Sequence, residues 1–227
     1  MAQILIPANS PEQWKQFLAQ PEKQWKSGYS ARALAYSWHE AQGFPRTVRR
    51  VFSESRLDVF EDIEPLIMIP EYKVPLPGGR RPSQNDIWVL GRSMSGLVSI
   101  TVEGKVSEAF GPGLGSWFQN PTSGKRRRLD FIVSELGLSA DPPPDTRYQL
   151  LHRTASAVIE AKRFGAGHAM MLVHSFSQTD ECFDDYALFV SLFGGTGAVD
   201  RITAVGRRGD LHLYFGWVRG EARYLAV

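Results

Sequence analysis

The sequence predicts an α/β (α+β) fold, in which a mixed sheet is flanked by helices and completed by a C-terminal β-hairpin. Apolar residues recur at helical spacing in several segments, which predicts amphipathic helices. Three extended segments follow one another across short, turn-rich gaps, which predicts an antiparallel meander. The chain has 227 residues, of which 43% are hydrophobic and 22% are charged. These values are typical of a folded protein with its own core, so we expect a single domain over residues 1–227.

The first part of the chain is predicted to be helical. Ser10 followed by Pro11 is a typical helix start, and Gly43 with Pro45 is typical of a helix end. The expected helices are residues 10–19, residues 30–42 and one short helix within residues 46–62.

Three strands are predicted next, at residues 65–75, 86–92 and 97–106. Side chains alternate between the two faces of a strand. In the third strand, Val98, Ile100 and Val102 therefore share one face, whereas Glu103 and Lys105 share the other. This strand separates an apolar face from a charged one.

The second half of the chain alternates helices and strands. Pro and Gly clusters mark the breaks between them, as in ADPPPD at residues 140–145. The expected elements, in order, are a loop at 111–115, helices at 122–138 and 146–164, a strand at 168–176, a helix at 180–193 and a hairpin of residues 202–205 and 211–218 that turns at Arg208–Gly209.

The composition excludes several classes of protein. Cys182 is the only cysteine, which excludes a disulfide framework and favours a reducing compartment. The start, MAQILIPANS, lacks a basic region, and no apolar stretch approaches the roughly 20 residues that span a bilayer. We therefore expect a cytoplasmic protein without membrane contact. A net charge of +2 argues against wrapping of nucleic acid in bulk but allows a local basic groove.

Two acids and a lysine form the most informative pattern. Asp86 opens the second strand, and Glu103, Gly104 and Lys105 end the third. In a hairpin the start of one strand lies beside the end of the next, so the two carboxylates are expected to converge. A hard cation such as Mg²⁺ relieves the repulsion between them, and Gly104 lets its carbonyl approach the ion. Lys105 is then suited to orient a water or stabilise charge on a phosphate.

An acid followed by Glu-x-Lys on consecutive strands resembles the PD-(D/E)XK nuclease superfamily, which has the restriction-endonuclease-like fold. Its αβββαβ core would comprise residues 30–42, the meander, 146–164 and 168–176. Asn85 stands where the family name places proline. The resemblance implies a nuclease with Mg²⁺ or Mn²⁺, in which Asp86 and Glu103 hold the metal and Lys105 assists the water. The order of the predicted elements matches that of the family over residues 30–176, but the motif itself spans only about thirty residues. Such short motifs have limited specificity.

The resemblance also implies accessory residues. Many members use a further acid from the first helix, where Glu40 is the matching residue. Some carry a glutamine on the helix after the motif, which corresponds to Gln149, with Arg153 one turn on. A second Glu-x-Lys, at residues 71–73, makes Glu71 another candidate acid. For Glu40, Gln149 and Arg153, a purely structural role is the competing interpretation.

Basic residues are the candidate contacts to a phosphate backbone. Arg80 and Arg81 lie in the loop that leads to Asp86, and Lys125 and Arg126 open a predicted helix. They indicate nucleic acid as the partner, with DNA as the expected substrate.

Weaker motifs compete with this interpretation. His168 and His174 lie on one side of a strand, as zinc ligands would, but no third ligand stands at a suitable spacing. The segment GPGLGS lacks the spacing of a dinucleotide-binding loop.

Three functions therefore stay open. The first is metal-dependent hydrolysis of phosphodiester bonds, with a homodimer as one option for assembly. The second is a non-catalytic nucleic-acid-binding or accessory module on the same fold. The third is an interaction protein with no nucleic-acid role, for which a net charge of +2 needs no explanation. For the trio itself, the competing structural interpretation is a surface strand on which Glu103 and Lys105 are solvated and Asp86 caps a turn.

Overall fold

A computed structural model, which describes residues 3–4 and 8–227, contains one mixed sheet of seven strands. Its spatial order is β1-β2-β3-β4-β5-β7-β6. The strands are β1 (Gln3–Ile4), β2 (Glu64–Val74), β3 (Ser83–Ser93), β4 (Gly96–Lys105), β5 (His168–Ser175), β6 (Arg201–Arg208) and β7 (Leu211–Arg219). The strands β2, β3 and β4 form an antiparallel meander, and β5 runs parallel to β4. The hairpin of β6 and β7 completes the sheet, because β7 pairs in parallel with β5.

Helices cover both faces of the sheet. They are α1 (Pro21–Gln24), α2 (Ser30–Ala41), α3 (Arg46–Glu54), α4 (Asp58–Glu61), α5 (Leu114–Trp117), α6 (Ser123–Glu135), α7 (Tyr148–Phe164) and α8 (Phe183–Ser191). One hydrophobic core lies between the sheet and α2, α3 and α4, and a second lies between the opposite face and α6, α7 and α8. None of the helices among the described residues has the length and apolar character needed to cross a bilayer.

This architecture confirms the mixed α/β class that the sequence predicts, and several details differ. Residues 11–17 form a 3-10 helix, and the segment 46–62 contains two helices instead of one. The helix α5 begins at Leu114, inside the stretch 111–115 that was expected to be a loop. Its first two residues, Leu114 and Gly115, donate backbone hydrogen bonds to the carbonyls of Thr146 and Pro144. Neither α1 nor β1 was predicted, since each is too short to show periodicity.

The two faces of β4 are both buried but differ in chemistry. Val98, Ile100 and Val102 pack into the core beneath α2, as predicted. The charged side chains of the other face lie beneath α7, where Glu103 is 3% and Lys105 5% exposed. The interpretation of these two residues as solvated is therefore wrong.

The loop between β2 and β3 is fixed to the start of α6. Arg128 donates hydrogen bonds to the backbone carbonyls of Leu76, Pro77 and Gly79, at 2.9–3.3 Å. Gly78 packs so closely that an added Cβ would overlap the carbonyl oxygen of Gly124. The loop thereby gains a defined position beside the first residues of β3.

We expect Gly78→Ala to lower the free energy of unfolding by about 2 kcal/mol or more, because Gly78 has a left-handed φ of +80° and no space for a Cβ. The matched control is Gly111→Ala. Gly111 has a φ of +72° but open space around it, so only the backbone strain of about 1 kcal/mol is expected. Equal losses in urea unfolding would contradict the close packing of the loop on α6.

Candidate functional site

Three acids lie side by side on the face of the meander that α7 covers. Pro70 pairs with Ile87 and Tyr72 with Asn85, which places Glu71 level with Asp86. Beyond the pair formed by Ile87 and Val102, the next positions outward are Asp86 on β3 and Glu103 on β4. Directly opposed residues of an antiparallel pair point to the same face. The acids therefore form one row across three strands, which we call the acid row.

Two side chains of α7 reach the acid row, because residues four apart share one face of a helix. Gln149 donates a hydrogen bond through Nε2 to Oε1 of Glu103, at 2.7 Å. Arg153 donates through Nε to Oε2 of Glu103, at 2.6 Å. Lys105 adds a third donor, with Nζ 2.8 Å from Oε1. Both oxygens of Glu103 thus have protein partners.

Asp86 has weaker partners. Its Oδ2 accepts a hydrogen bond from the backbone N–H of Gly104, at 2.8 Å. Its Oδ1 lies 3.5 Å from Nη2 of Arg153, which is longer than a good hydrogen bond. The side chain is 21% exposed. One guanidinium therefore spans Asp86 and Glu103, and one oxygen of Asp86 is only loosely satisfied.

The site opens into a cavity of about 590 Å³. Its lining includes Glu71, Asp86, Glu103, Lys105, Gln149 and Arg153. The structure thus brings together the acid row, the lysine and both candidates on α7. Gly104 contributes backbone only, and a Cβ at this position would lie 3.2 Å from the Leu34 side chain.

Three carboxyl groups and two cations, Lys105 and Arg153, lie together at the site. Burial and the neighbouring Glu103 raise the pKa of Asp86 to about 7. Burial and the charge of Asp86 raise the pKa of Glu71 to about 8. Burial alone would raise the pKa of Glu103, but the charges of Arg153 and Lys105 outweigh it and lower this pKa to about 2. The cations therefore stabilise Glu103 and leave the other two acids poorly compensated.

The donor set suits a hard cation with incomplete protein ligation. Within residues 3–4 and 8–227, no group of three or more His, Cys, Asp or Glu side chains is arranged to hold a metal ion. Mg²⁺ commonly binds one or two carboxylates and takes waters or substrate phosphates for the rest. The loosely satisfied Oδ1 of Asp86 is consistent with that mode.

Sequence reasoning missed two residues that adjoin the site. His152 lies on α7 between Gln149 and Arg153, and its Nδ1 is 2.8 Å from the hydroxyl of Ser83. Burial and the charge of Arg153 lower the pKa of His152 well below its usual value, so this ring is neutral. Glu108 accepts a hydrogen bond from the backbone N–H of Ser30 at the start of α2, at 2.9 Å. The i, i+3 spacing from Gln149 was the available signal for His152, whereas no local pattern indicates Glu108.

Glu40 lies outside the site, contrary to the expectation. Its carboxylate accepts a hydrogen bond from the Tyr224 hydroxyl at 2.6 Å and lies 3.6 Å from Arg223. These residues line a different cavity. The buried face of α2 carries Leu34 and Trp38. Two residues beyond Trp38, Glu40 points away from the sheet.

The candidate phosphate contacts differ in whether protein groups already bind their charged ends. Arg80 and Arg81 are exposed in the loop that Arg128 holds, and neither forms an ion pair with any acid that the structure describes. Lys125 donates to the Gln119 carbonyl at 3.3 Å. Arg126 is engaged by Asp130 and Asp141, at 2.6 and 2.7 Å, which leaves it less available to a phosphate than Arg80 and Arg81.

The two histidines of β5 have separate surroundings. Nδ1 of His174 accepts a hydrogen bond from the Trp38 indole at 3.0 Å, and burial lowers its pKa to about 3. His168 lies at the other end of the strand, 3.1 Å from the Tyr214 hydroxyl. They do not form a shared metal site.

A family model described as "Domain of unknown function (DUF6946)" matches residues 7–222. The chain belongs to this family. The match spans α1 to β7 and therefore includes the acid row, Lys105 and both candidates on α7. Searches of curated proteins and of solved structures found no match.

We expect Asp86 to contribute stability to the metal-free protein at low pH that is lost as the pH rises from about 4 to about 7. In this range the unfolded carboxyl of Asp86 is ionised, whereas the folded one, with a pKa of about 7, largely holds its proton. Asp86→Asn removes this titration and lowers the pKa of Glu71, so the stability of the variant relative to the wild type should increase as the pH rises.

Urea unfolding in EDTA at several pH values measures this difference. The control is Asp141→Asn, because Arg126 lowers the pKa of that exposed carboxyl and its titration is complete below this range. Parallel profiles for the wild type and Asp86→Asn would show that Asp86 does not titrate abnormally.

Proposed function

We propose that this protein is a divalent-metal-dependent phosphodiesterase that hydrolyses nucleic acid. The observation that carries the proposal is the convergence of Asp86, Glu103 and Lys105 on one face of the meander, at the mouth of a cavity. Each side chain lies at the strand position that the resemblance to the PD-(D/E)XK nucleases implies.

The connectivity around the site supports the same proposal. The elements α2, β2, β3, β4, α7 and β5 follow the αβββαβ order of the PD-(D/E)XK nucleases, with β5 parallel to β4. The helices α3 and α4, between α2 and β2, and α5 and α6, between β4 and α7, are additions to this order. Gln149 projects from α7 onto Glu103, at the place where some members carry a glutamine.

Asp86 and Glu103 would hold Mg²⁺ or Mn²⁺, with the Gly104 carbonyl on the same edge of β4. The ion would supply Lewis acidity toward a phosphoryl oxygen and a bound water of lowered pKa. Lys105 is fixed by Glu103 and by the Phe110 ring, whose centroid lies 4.7 Å from Nζ. An ammonium held in this way orients a water and stabilises negative charge on the phosphate.

The charges around the cavity support a nucleic-acid substrate. Arg80 and Arg81 stand in a fixed loop directly before β3, so they are suited to hold a phosphate backbone while Asp86 faces the cavity. We propose DNA as the substrate. A cytoplasmic location and a homodimer stay predictions.

A specific observation favours a second function, that of a non-catalytic nucleic-acid-binding or accessory module. Both oxygens of Glu103 are already bound by Lys105, Gln149 and Arg153. In a protein without metal, this arrangement would simply stabilise the sheet against α7. Metal binding separates the two functions.

We expect Lys105→Met to lower the rate of DNA cleavage by about 100-fold or more, because it removes the charge that positions water and phosphate. The assay uses plasmid and single-stranded DNA with Mg²⁺ or Mn²⁺. Lys73→Met is the matched control, since Lys73 belongs to the second Glu-x-Lys and is exposed. Identical cleavage by the wild type and Lys105→Met would refute the proposed catalytic role.

The double variant Arg80→Ala/Arg81→Ala should reduce the salt dependence of DNA binding, since each lost phosphate contact lowers the slope of log K against log salt by about 0.9. Fluorescence anisotropy with a labelled duplex in EDTA measures this slope. Arg126→Ala should leave it unchanged, because Asp130 and Asp141 already engage this side chain. A slope equal to that of the wild type in the double variant would place the DNA elsewhere.

A further inference from the structure

We propose that Arg153 is a built-in substitute for the metal ion and sets the affinity of the site for divalent cations. The inference rests on the proposed function and adds a positioning residue that controls when the metal binds. The guanidinium spans Asp86 and Glu103 in the metal-free protein, and an incoming cation must displace it from Asp86.

The position of Arg153 is the first argument. Its Nε lies 2.6 Å from Oε2 of Glu103, and its Nη2 lies 3.5 Å from Oδ1 of Asp86. The side chain is 8% exposed, so solvent screens these charges little. It thus connects the two carboxylates that would ligate the metal.

The unequal length of the two Arg153 contacts is the second argument. The contact to Glu103 is short and charge-assisted, whereas the contact to Asp86 exceeds normal hydrogen-bond length. The guanidinium can therefore leave Asp86 while it keeps Glu103. Asp86, which is 21% exposed against 3% for Glu103, is the carboxyl that it releases.

The charge balance is the third argument. Arg153 and Lys105 are both buried beside the carboxyl groups that would ligate the metal. A divalent ion placed there is repelled by both cations. Metal binding is therefore opposed by Arg153 until an anion such as a phosphate enters the cavity and accepts the displaced guanidinium.

The consequence is mutual dependence of metal and substrate. If a phosphate backbone draws Arg153 away from Asp86, it raises the affinity for metal, and by linkage the metal raises the affinity for the phosphate backbone. The site would then stay essentially metal-free until nucleic acid is bound.

Isothermal titration of the full-length protein with MnCl₂, after removal of bound metal with EDTA, tests the inference without any activity assay. We expect Arg153→Gln to bind Mn²⁺ about tenfold or more tightly than the wild type, because a positive charge a few ångströms from the ion is removed. Arg163→Gln is the matched control. It removes an arginine from the same helix that is 58% exposed and paired with Glu160, so its Mn²⁺ affinity should equal that of the wild type.

Arg153→Lys covers the case in which the glutamine variant does not fold. Lysine keeps a charge beside Glu103 but cannot span both carboxylates, so its Mn²⁺ affinity should exceed that of the wild type. If the folded Arg153 variants and the wild type bind Mn²⁺ with equal affinity, the inference is overturned and the proposed function stands. If no variant binds Mn²⁺, even with a DNA oligonucleotide present, both are overturned.

Discussion

The buried Glu103 carboxylate is the interaction on which the rest of the site depends. It accepts hydrogen bonds from Lys105 on its own strand and from Gln149 and Arg153 on α7. Removing one partner of such a buried group typically costs about 3–5 kcal/mol, because the opposite charge is left without compensation. Glu103 therefore fixes how α7 lies on the sheet. Through Arg153 it also fixes the surroundings of Asp86.

The acid row concentrates charge and backbone strain at one place. Glu71 has a left-handed φ of +51° within β2, a conformation uncommon for a residue with a side chain. Its carboxylate accepts a hydrogen bond from Gln84 at 2.6 Å, and Asp86 stands on the neighbouring strand. Strained backbone and poorly compensated carboxylates persist only where the surrounding fold enforces them, and such places are often functional sites. In this protein the enforcing elements are the meander and α7.

Much of this site could be predicted from the sequence, because strand alternation and the antiparallel meander together place Asp86 beside Glu103. The α7 contacts also follow from periodicity, since Gln149 and Arg153 are four residues apart. Glu40 was predicted wrongly although the buried stripe of α2 already turns it away from the sheet. The ion pairs of Arg126 could be predicted only in part. Its pairing with Asp130 follows from helical spacing, because Asp130 lies one turn away, whereas Asp141 approaches only through the folded loop. The position of Glu71 beside Asp86 depends on the register between β2 and β3, which no local pattern specifies.

The choice between a hydrolase and a binding module depends on whether a metal ion or Arg153 occupies the position beside Asp86. An arginine paired to both acids makes a stable, metal-free protein. In the proposed exchange, the same arginine would leave Asp86 and turn its charge toward a bound phosphate. The contact to Glu103 is short and the contact to Asp86 is long, so the two ends of the guanidinium are not equivalent. A structural ion pair is compatible with this inequality. The proposed exchange depends on it, because one end of the guanidinium must be released first while the other stays on Glu103.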